Sequence, residues 1–276
     1  MDLKVKINQY LESLNLQCSE GLTLVTELQQ KHQSHFSFSS INAMYGERLL
    51  LDEQPLFERL VSGKQGGYCF EHNKVAFLAL QQLGFNVRPV LGRVMLNGSL
   101  TNPRSHRITL LELDGEQYLV DVGFGVKSPR APININQALT IQGQQTYQVQ
   151  KTADTVKVTL LEEGEAPLTL YHVDLAEVFE SDCEVAHFYS HQHPEAAFVN
   201  NLVVSRITDC HRYLLRNQSY FEWHECDGSV TETAVESFSQ LEQLVKEVFL
   251  LEIPRAVLKS VYDKVLTRAA NKPVER

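Results

Sequence analysis

The apolar residues of this chain change their period near residue 85, and that change fixes the order of its building units. Leu3, Ile7, Leu11 and Leu14 recur at helical spacing, as do Leu22, Val25 and Leu28. Asp52 stands where it can cap a short helix carrying Leu56, Phe57, Leu60 and Val61. A further helix opens at Cys69, continues through Phe70, Phe77 and Leu80, and has Gly84 as its left-handed stop. From about Val87 to Leu170 the runs become short and alternating, broken by Asn97-Gly98, Asp114-Gly115 and Gly143-Gln144, which is a β signature. The last third is mixed. Strand-like stretches lie at Arg212–Leu215, Tyr220–His224 and Ser229–Ala234, and two helices follow, one with Ser239 and Glu242 as a capping box and one with Pro254 at its start. The predicted class is α+β, with a helical unit over 1–85, a β unit over 86–186 and a mixed unit over 187–276.

Composition narrows the class of function. A chain with 43% hydrophobic and 21% charged residues buries a core rather than staying disordered. It holds no run of about 18 apolar residues, and its first residues alternate charged with apolar side chains instead of forming a signal peptide, so a cytoplasmic protein away from membranes is expected. Its net charge of −9 argues against nucleic acid as a partner, but leaves room for a phosphorylated cofactor held by local cations and backbone amides. Five cysteines without close pairing fit reduced thiols better than a disulfide framework. No Cys-x-x-Cys pair accompanies the histidines, so no metal site is expected; His187 and His191, at helical spacing, are the nearest thing to one.

Cys69 is the thiol best placed for chemistry. It sits in Gly66-Gly67-Tyr68-Cys69-Phe70-Glu71-His72-Asn73, where a turn-forming glycine pair gives way to a helix. Unpaired N–H groups and the positive end of the helix dipole favour a thiolate there and can receive an oxyanion. A nucleophilic thiol also needs an imidazole, and the imidazole an orienting group. The Asp114-Gly115 hairpin supplies such a pair. With a two-residue loop Leu113 faces Glu116, Asp121 falls opposite Ile108, and His106 and Asp121 become diagonal neighbours on one face, roughly 7–8 Å apart at the backbone. A four-residue loop keeps this pairing, whereas a three-residue loop sends the two to opposite faces. Spacing alone does not bring Cys69 to His106.

The nucleophile segment resembles that of the arylamine N-acetyltransferases, Arg-Gly-Gly-x-Cys-x-Glu-x-Asn. Ser105-His106-Arg107, then Val120-Asp121-Val122-Gly123-Phe124-Gly125 and Pro129-Arg130-Ala131-Pro132, resemble the family's histidine and aspartate segments in the same order, and Phe198-Val199-Asn200-Asn201 resembles a later block. The resemblance covers nearly the whole chain. It implies a helical bundle, a central β-barrel and a mixed α/β lid around a cysteine-protease-like catalytic core. It also implies that Cys69 is the acetyl-accepting nucleophile, His106 its proton partner and Asp121 the orienting carboxylate. Phe38 and Phe70 are then expected at the acceptor pocket. Departures are Gln65 in place of the family's arginine, serines at 37, 39 and 40 around Phe38 where the family reads Pro-Phe-Glu-Asn-Leu, and His191-Gln192-His193-Pro194 in place of Ser-Thr-His-Pro.

The activity so implied is ping-pong N-acetylation, with acetyl-CoA as donor and an arylamine or hydrazine as acceptor. For coenzyme A the expected contacts are Arg104, Arg107, Lys127 and Arg130 with the backbone of Gly123, Phe124 and Gly125. Competing readings are a polyketide-type amide synthase, a Cys-His-Asp hydrolase or transglutaminase-like enzyme, and a non-catalytic CoA-binding protein. A homo-oligomer stays open, as do the acceptor and the acyl-chain preference.

Overall fold

The computed structural model describes residues 2–270, so Met1 and the last six residues of the expected lid, 271–276, lie outside the described residues. The early helices form where their apolar stripes share one core. They are α1 (Leu3–Leu14) and α2 (Gly21–His35), then β1 (Phe38–Ser39), α3 (Ile41–Tyr45), α4 (Glu53–Phe57), which runs on as a π turn over Glu58–Ser62, and α5 (Cys69–Gln82). Asp2 caps α1 through a bond from Lys4 N, whereas Asp52 holds the N-cap position of α4 without a side-chain bond. Ile7, Tyr10 and Leu14 of α1 and Val25 and Leu28 of α2 pack on Val75, Ala76, Ala79 and Leu80 of α5. Each such fully buried aliphatic side chain stabilises the fold by about 1.5–3 kcal/mol. Gly84, at φ +87°, ends α5 as expected.

The β region is one antiparallel sheet of eight strands: β2 (Asn86–Val94), β3 (His106–Leu113), β4 (Glu116–Val120), β5 (Ile133–Asn134), β6 (Leu139–Gln142), β7 (Gln145–Lys151), β8 (Thr155–Leu161) and β9 (Leu168–Asp174). Its order is β5-β4-β3-β2-β9-β8-β7-β6, and it curls into a nearly closed barrel around Val90, Ile108, Leu119, Val158 and Tyr171. At the gap, the Gln142 side chain binds Arg130 N, Ala131 N and Ala131 O just before β5. The β3–β4 hairpin closes through Asp114 and Gly115, both at positive φ, as a two-residue turn requires. Leu113 therefore faces Glu116 and Thr109 faces Val120, the predicted register.

The remaining elements are α6 (Glu180–Gln192), α7 (Ala197–Asn200), β10 (Val203–Ile207), β11 (His211–Arg216), β12 (Ser219–His224), β13 (Val230–Ala234), α8 (Phe238–Gln243), a π turn over Leu244–Val248, and α9 (Arg255–Ala270). The three predicted strand stretches are β11, β12 and β13. Two partners were not legible: β10, and the two-residue β1, which crosses over from the helical third to edge the sheet β1-β10-β11-β12-β13. Leu241, Val245, Phe249, Leu258 and Val261 cover that sheet at Val204 and Leu215. The capping box is a correction. It belongs to Ser237 and Gln240, not to Ser239 and Glu242, because Ser237 has the extended backbone an N-cap needs and its side chain accepts from Gln240 N. Glu242 pairs instead with Arg255. Pro254 precedes α9 and accepts from Leu258 N, consistent with its predicted place. Among the described residues no helix is long and apolar enough to cross a membrane.

Candidate active site

The thiol is delivered by the first turn of α5. Tyr68 is extended and takes the N-cap position, and the Glu71 carboxylate reaches back to Tyr68 N at 3.0 Å. The same carboxylate is held by Arg59 at 2.9 and 2.6 Å, so this charge at the helix start is buried but paired. Cys69 itself is 3% exposed, and its sulfur lies 3.5 Å from Ser105 O. The hairpin supplies the other two groups. His106, the first residue of β3, and Asp121, just past β4, are each 1% exposed and meet with Nε2 2.7 Å from Oδ2. A carboxylate only accepts, so Nε2 carries the proton and Nδ1 is left free of Asp121. Burial pulls the imidazole pKa down, but the Asp121 charge and hydrogen bond, aided by Cys69, outweigh it and raise His106 to about 10.

Asn73 is what joins the two halves, a role that was not legible in its position along the chain. It lies one helical turn after Cys69 on the same face of α5. Its Nδ2 donates to Arg107 O at 2.7 Å and to Asp121 Oδ1 at 2.9 Å, while its Oδ1 accepts from Val122 N at 3.0 Å. One amide thus clamps β3 and the segment just past β4 to the helix that carries Cys69. The Cys-x-x-x-Asn spacing was the signal available. Gly123 completes the contact: a Cβ there would stand 2.9 Å from Cys69 Cα.

A second buried network braces the loop before the helix. His72 Nε2 must donate to Gly67 O, 3.1 Å away, so its Nδ1 accepts from His32 Nε2 at 2.7 Å, and His32 Nδ1 accepts from Tyr10 OH at 2.8 Å. All bonds run one way with both rings neutral. Burial accordingly holds His32 well below its usual pKa and brings His72 down to about 4. His187 and His191 are similarly occupied. His187 donates to Leu49 O and accepts from Tyr68 OH, and His191 donates to His187 O and accepts from Leu49 N.

Phe38 and Phe70 join Cys69 in one apolar cluster with Tyr68 and Leu91. Phe70 is fully enclosed, packed on Tyr68 and His187, while Phe38 stacks parallel to His72 and meets the half-buried Phe198 edge-on. Of the residues expected to meet coenzyme A, Gly123 N is taken by Asp121 and Phe124 N by Ser128 Oγ; Gly125 N makes no hydrogen bond among the described residues. Arg104 pairs with Asp174, Lys127 with Glu162 and Arg130 with Asp209. Arg107 is wholly buried against Glu180 and is not offered to a ligand.

Residues 21–258 match a family model described as N-acetyltransferase. The chain is 30% identical over 264 residues to the arylamine N-acetyltransferase of Escherichia coli (strain K12), covering 91% of this chain and 90% of the relative. The chain belongs to the arylamine N-acetyltransferase family. Another relative, the arylamine N-acetyltransferase / N-hydroxyarylamine O-acetyltransferase of Salmonella typhimurium, is 30% identical over 84% of each chain. The solved arylamine N-acetyltransferase from Salmonella typhimurium superposes with a TM-score of 0.86 at 27% identity, over 94% of this chain and 98% of that one. The Mycobacterium marinum enzyme, solved in complex with CoA, shares the fold at a TM-score of 0.87 and 23% identity, over 94% and 99% of the two chains.

Against the arylamine N-acetyltransferase pattern, two departures prove to be neighbours. Ser39, where the family has glutamate, packs so closely on the loop before Cys69 that a Cβ on Gly66 would lie 2.7 Å from its own Cβ, and Gln65 stands one residue earlier in place of the family's arginine.

Proposed function

We propose that the chain moves an acetyl group from acetyl-CoA to the nitrogen of an arylamine or hydrazine through a thioester on Cys69. The observation that carries this reading is the buried set of Cys69, His106 and Asp121, in which the carboxylate, 2.7 Å from the ring, favours an imidazolium that can form an ion pair with the Cys69 thiolate. Such an ion pair keeps the sulfur nucleophilic. The Cys69 thiolate attacks the thioester carbonyl. Tyr68 N is already engaged by Glu71, so the N–H groups of Cys69 and Phe70 are the donors offered to the oxyanion, each worth a few kcal/mol. Collapse expels the CoA thiolate, which takes its proton from His106. An amine then attacks acetyl-Cys69, His106 accepts the amine's proton, and the thiolate is released.

The CoA complex of the Mycobacterium marinum neighbour supports CoA as the carrier, and the names of the Escherichia coli and Salmonella relatives support an arylamine as acceptor. For the phosphates, Gly125 N together with Arg104 and Lys127, whose acidic partners are part-exposed and can be displaced, makes the better set. For the acceptor, Phe38, Phe124 and Phe198 form the walls and Phe70 backs them. Incubation with acetyl-CoA alone, followed by intact mass measurement, tests the scheme. One acetyl adduct per chain, absent in Cys69→Ser and discharged by an arylamine, is expected; a folded protein that takes up no acetyl group would overturn it.

A further inference from the structure

The β11–β12 hairpin carries a second cluster of chemistry-bearing side chains that the acyl-transfer scheme does not use. His211 and His224 are directly opposite each other, and Glu222 is two residues from His224 on the same face. Glu225 N donates to Cys210 O, so that neighbouring pair is the hydrogen-bonded kind and His211–His224 is the non-hydrogen-bonded kind, where side chains come closest. The rings stand 4.5 Å apart at 67°, and one donor atom from each of the three residues lies within 4.8 Å of the others. His211 Nε2 is 3.6 Å from Glu222 Oε1. Two ligands on a tetrahedral zinc ion, bonded at about 2.0–2.1 Å, are separated by about 3.4 Å.

We propose that His211, His224 and Glu222 bind one divalent first-row transition-metal ion, of the zinc class, with water completing the shell. Two imidazoles and a carboxylate suit such an ion better than calcium or magnesium, which prefer oxygen throughout. The support around the ligands fits the role. Tyr220 OH donates to the second Glu222 oxygen at 3.3 Å, and Tyr213 stacks on His211, so the carboxylate and one ring are already oriented. The side chains of His211 and Glu222 are 28% and 27% exposed, open enough for an ion to enter. Two-strand ligation would staple the hairpin. On its opposite face, Arg212 grips Val126 O and Ser128 O in the loop that follows Asp121, so the ion would stiffen the strand pair on which that loop rests.

Calorimetric titration of the full metal-free chain with Zn²⁺ tests this. One ion per chain is expected, bound at least tenfold more weakly by His224→Ala and by the isosteric Glu222→Gln, and unchanged in Cys69→Ser, Cys210→Ser and Cys226→Ser. Zn²⁺ should also raise the unfolding temperature of the wild type and of the three serine variants, but not of the two hairpin variants. Equal affinity in the wild type and Glu222→Gln, affinity lost with any one cysteine, or no binding at all would each overturn the proposal; the last would leave an ordinary histidine–carboxylate pair. Should His224→Ala fail to fold, Glu222→Gln alone decides.

Discussion

Gly123 lies over the proposed nucleophile, and only a residue without a Cβ fits. An added Cβ would meet Cys69 Cα and Asn73 Nδ2, both at 2.9 Å, and neither a backbone atom nor a fully bonded amide yields cheaply. Gly123→Ala should cost about 1–3 kcal/mol in urea unfolding and slow the acetylation of Cys69, because the enforced shift moves sulfur against imidazole; wild-type stability in that variant would contradict the packing. Asp121 acts through charge. In Asp121→Asn the orienting carboxylate is gone, and acyl transfer should fall about 10³–10⁴-fold while the protein stays folded. The pH dependence has a definite sign. His106 is raised above its usual value of about 6.5, so its stabilisation is complete below that pH and is lost as pH climbs towards 10. The stability gap between the wild type and Asp121→Asn should therefore narrow from pH 7 to 10; a gap that widens would refute the assignment.

At the scale of elements, α5 and the β3–β4 hairpin work as one unit because of Asn73. Removing its side chain takes a partner from Arg107 O and Val122 N and one of two donors from Asp121 Oδ1, which keeps Gly123 N, and an unmet buried group costs about 1–3 kcal/mol. Asn73→Ala should lose several kcal/mol and at least tenfold in acyl transfer, measured by urea unfolding and by the rate of acetyl-Cys69 formation; an unaffected rate would mean that the helix and hairpin hold their geometry without the clamp. This also marks where the sequence stops being readable. His106 and Asp121 could be paired in advance because both lie on one hairpin whose Asp-Gly turn sets the register. Asn73 could not, since its partners, two backbone groups and the Asp121 carboxylate, lie 34 to 49 residues away, and neither could the chain from Tyr10 through His32 to His72. Strand β1 was invisible for the same reason, two residues that become a strand only when β10 lies beside them. Ser237 and Ser239 each begin a Ser-x-x-Glu/Gln frame, and only the extended backbone at 237 chooses between them.

Over the whole molecule, the buried neutral histidines set the response to acid. His32 is held well below its ordinary pKa, His72 falls to about 4 and His187 to about 3, in each case chiefly by burial. An unfolded chain protonates all three near pH 6.5 while the folded chain does not, so stability is full above that pH and declines as pH falls. Three groups at about 1.4 kcal/mol per pH unit each give a slope of about 4 kcal/mol per unit between pH 6 and 5. His191, also lowered by burial, adds to the fall. His106 is protonated in both states there, and Glu180, brought to about 2 by Arg107 and Lys74 against the opposing effect of burial, contributes only at lower pH. The net charge of −9 shrinks as the pH nears the isoelectric point of 5.6, which eases self-repulsion and opposes the loss only in part. Urea titrations from pH 7 to 5 should therefore show a steep fall, less steep by about a third in His32→Gln. Because the His32–His72 chain ends on Gly67 O, two residues before Cys69, acid should remove acetylation of Cys69 over the same interval in which it lowers stability. A flat stability curve across that range, or activity lost well before stability, would show that the neutral histidines do not tie the bundle to the nucleophile loop.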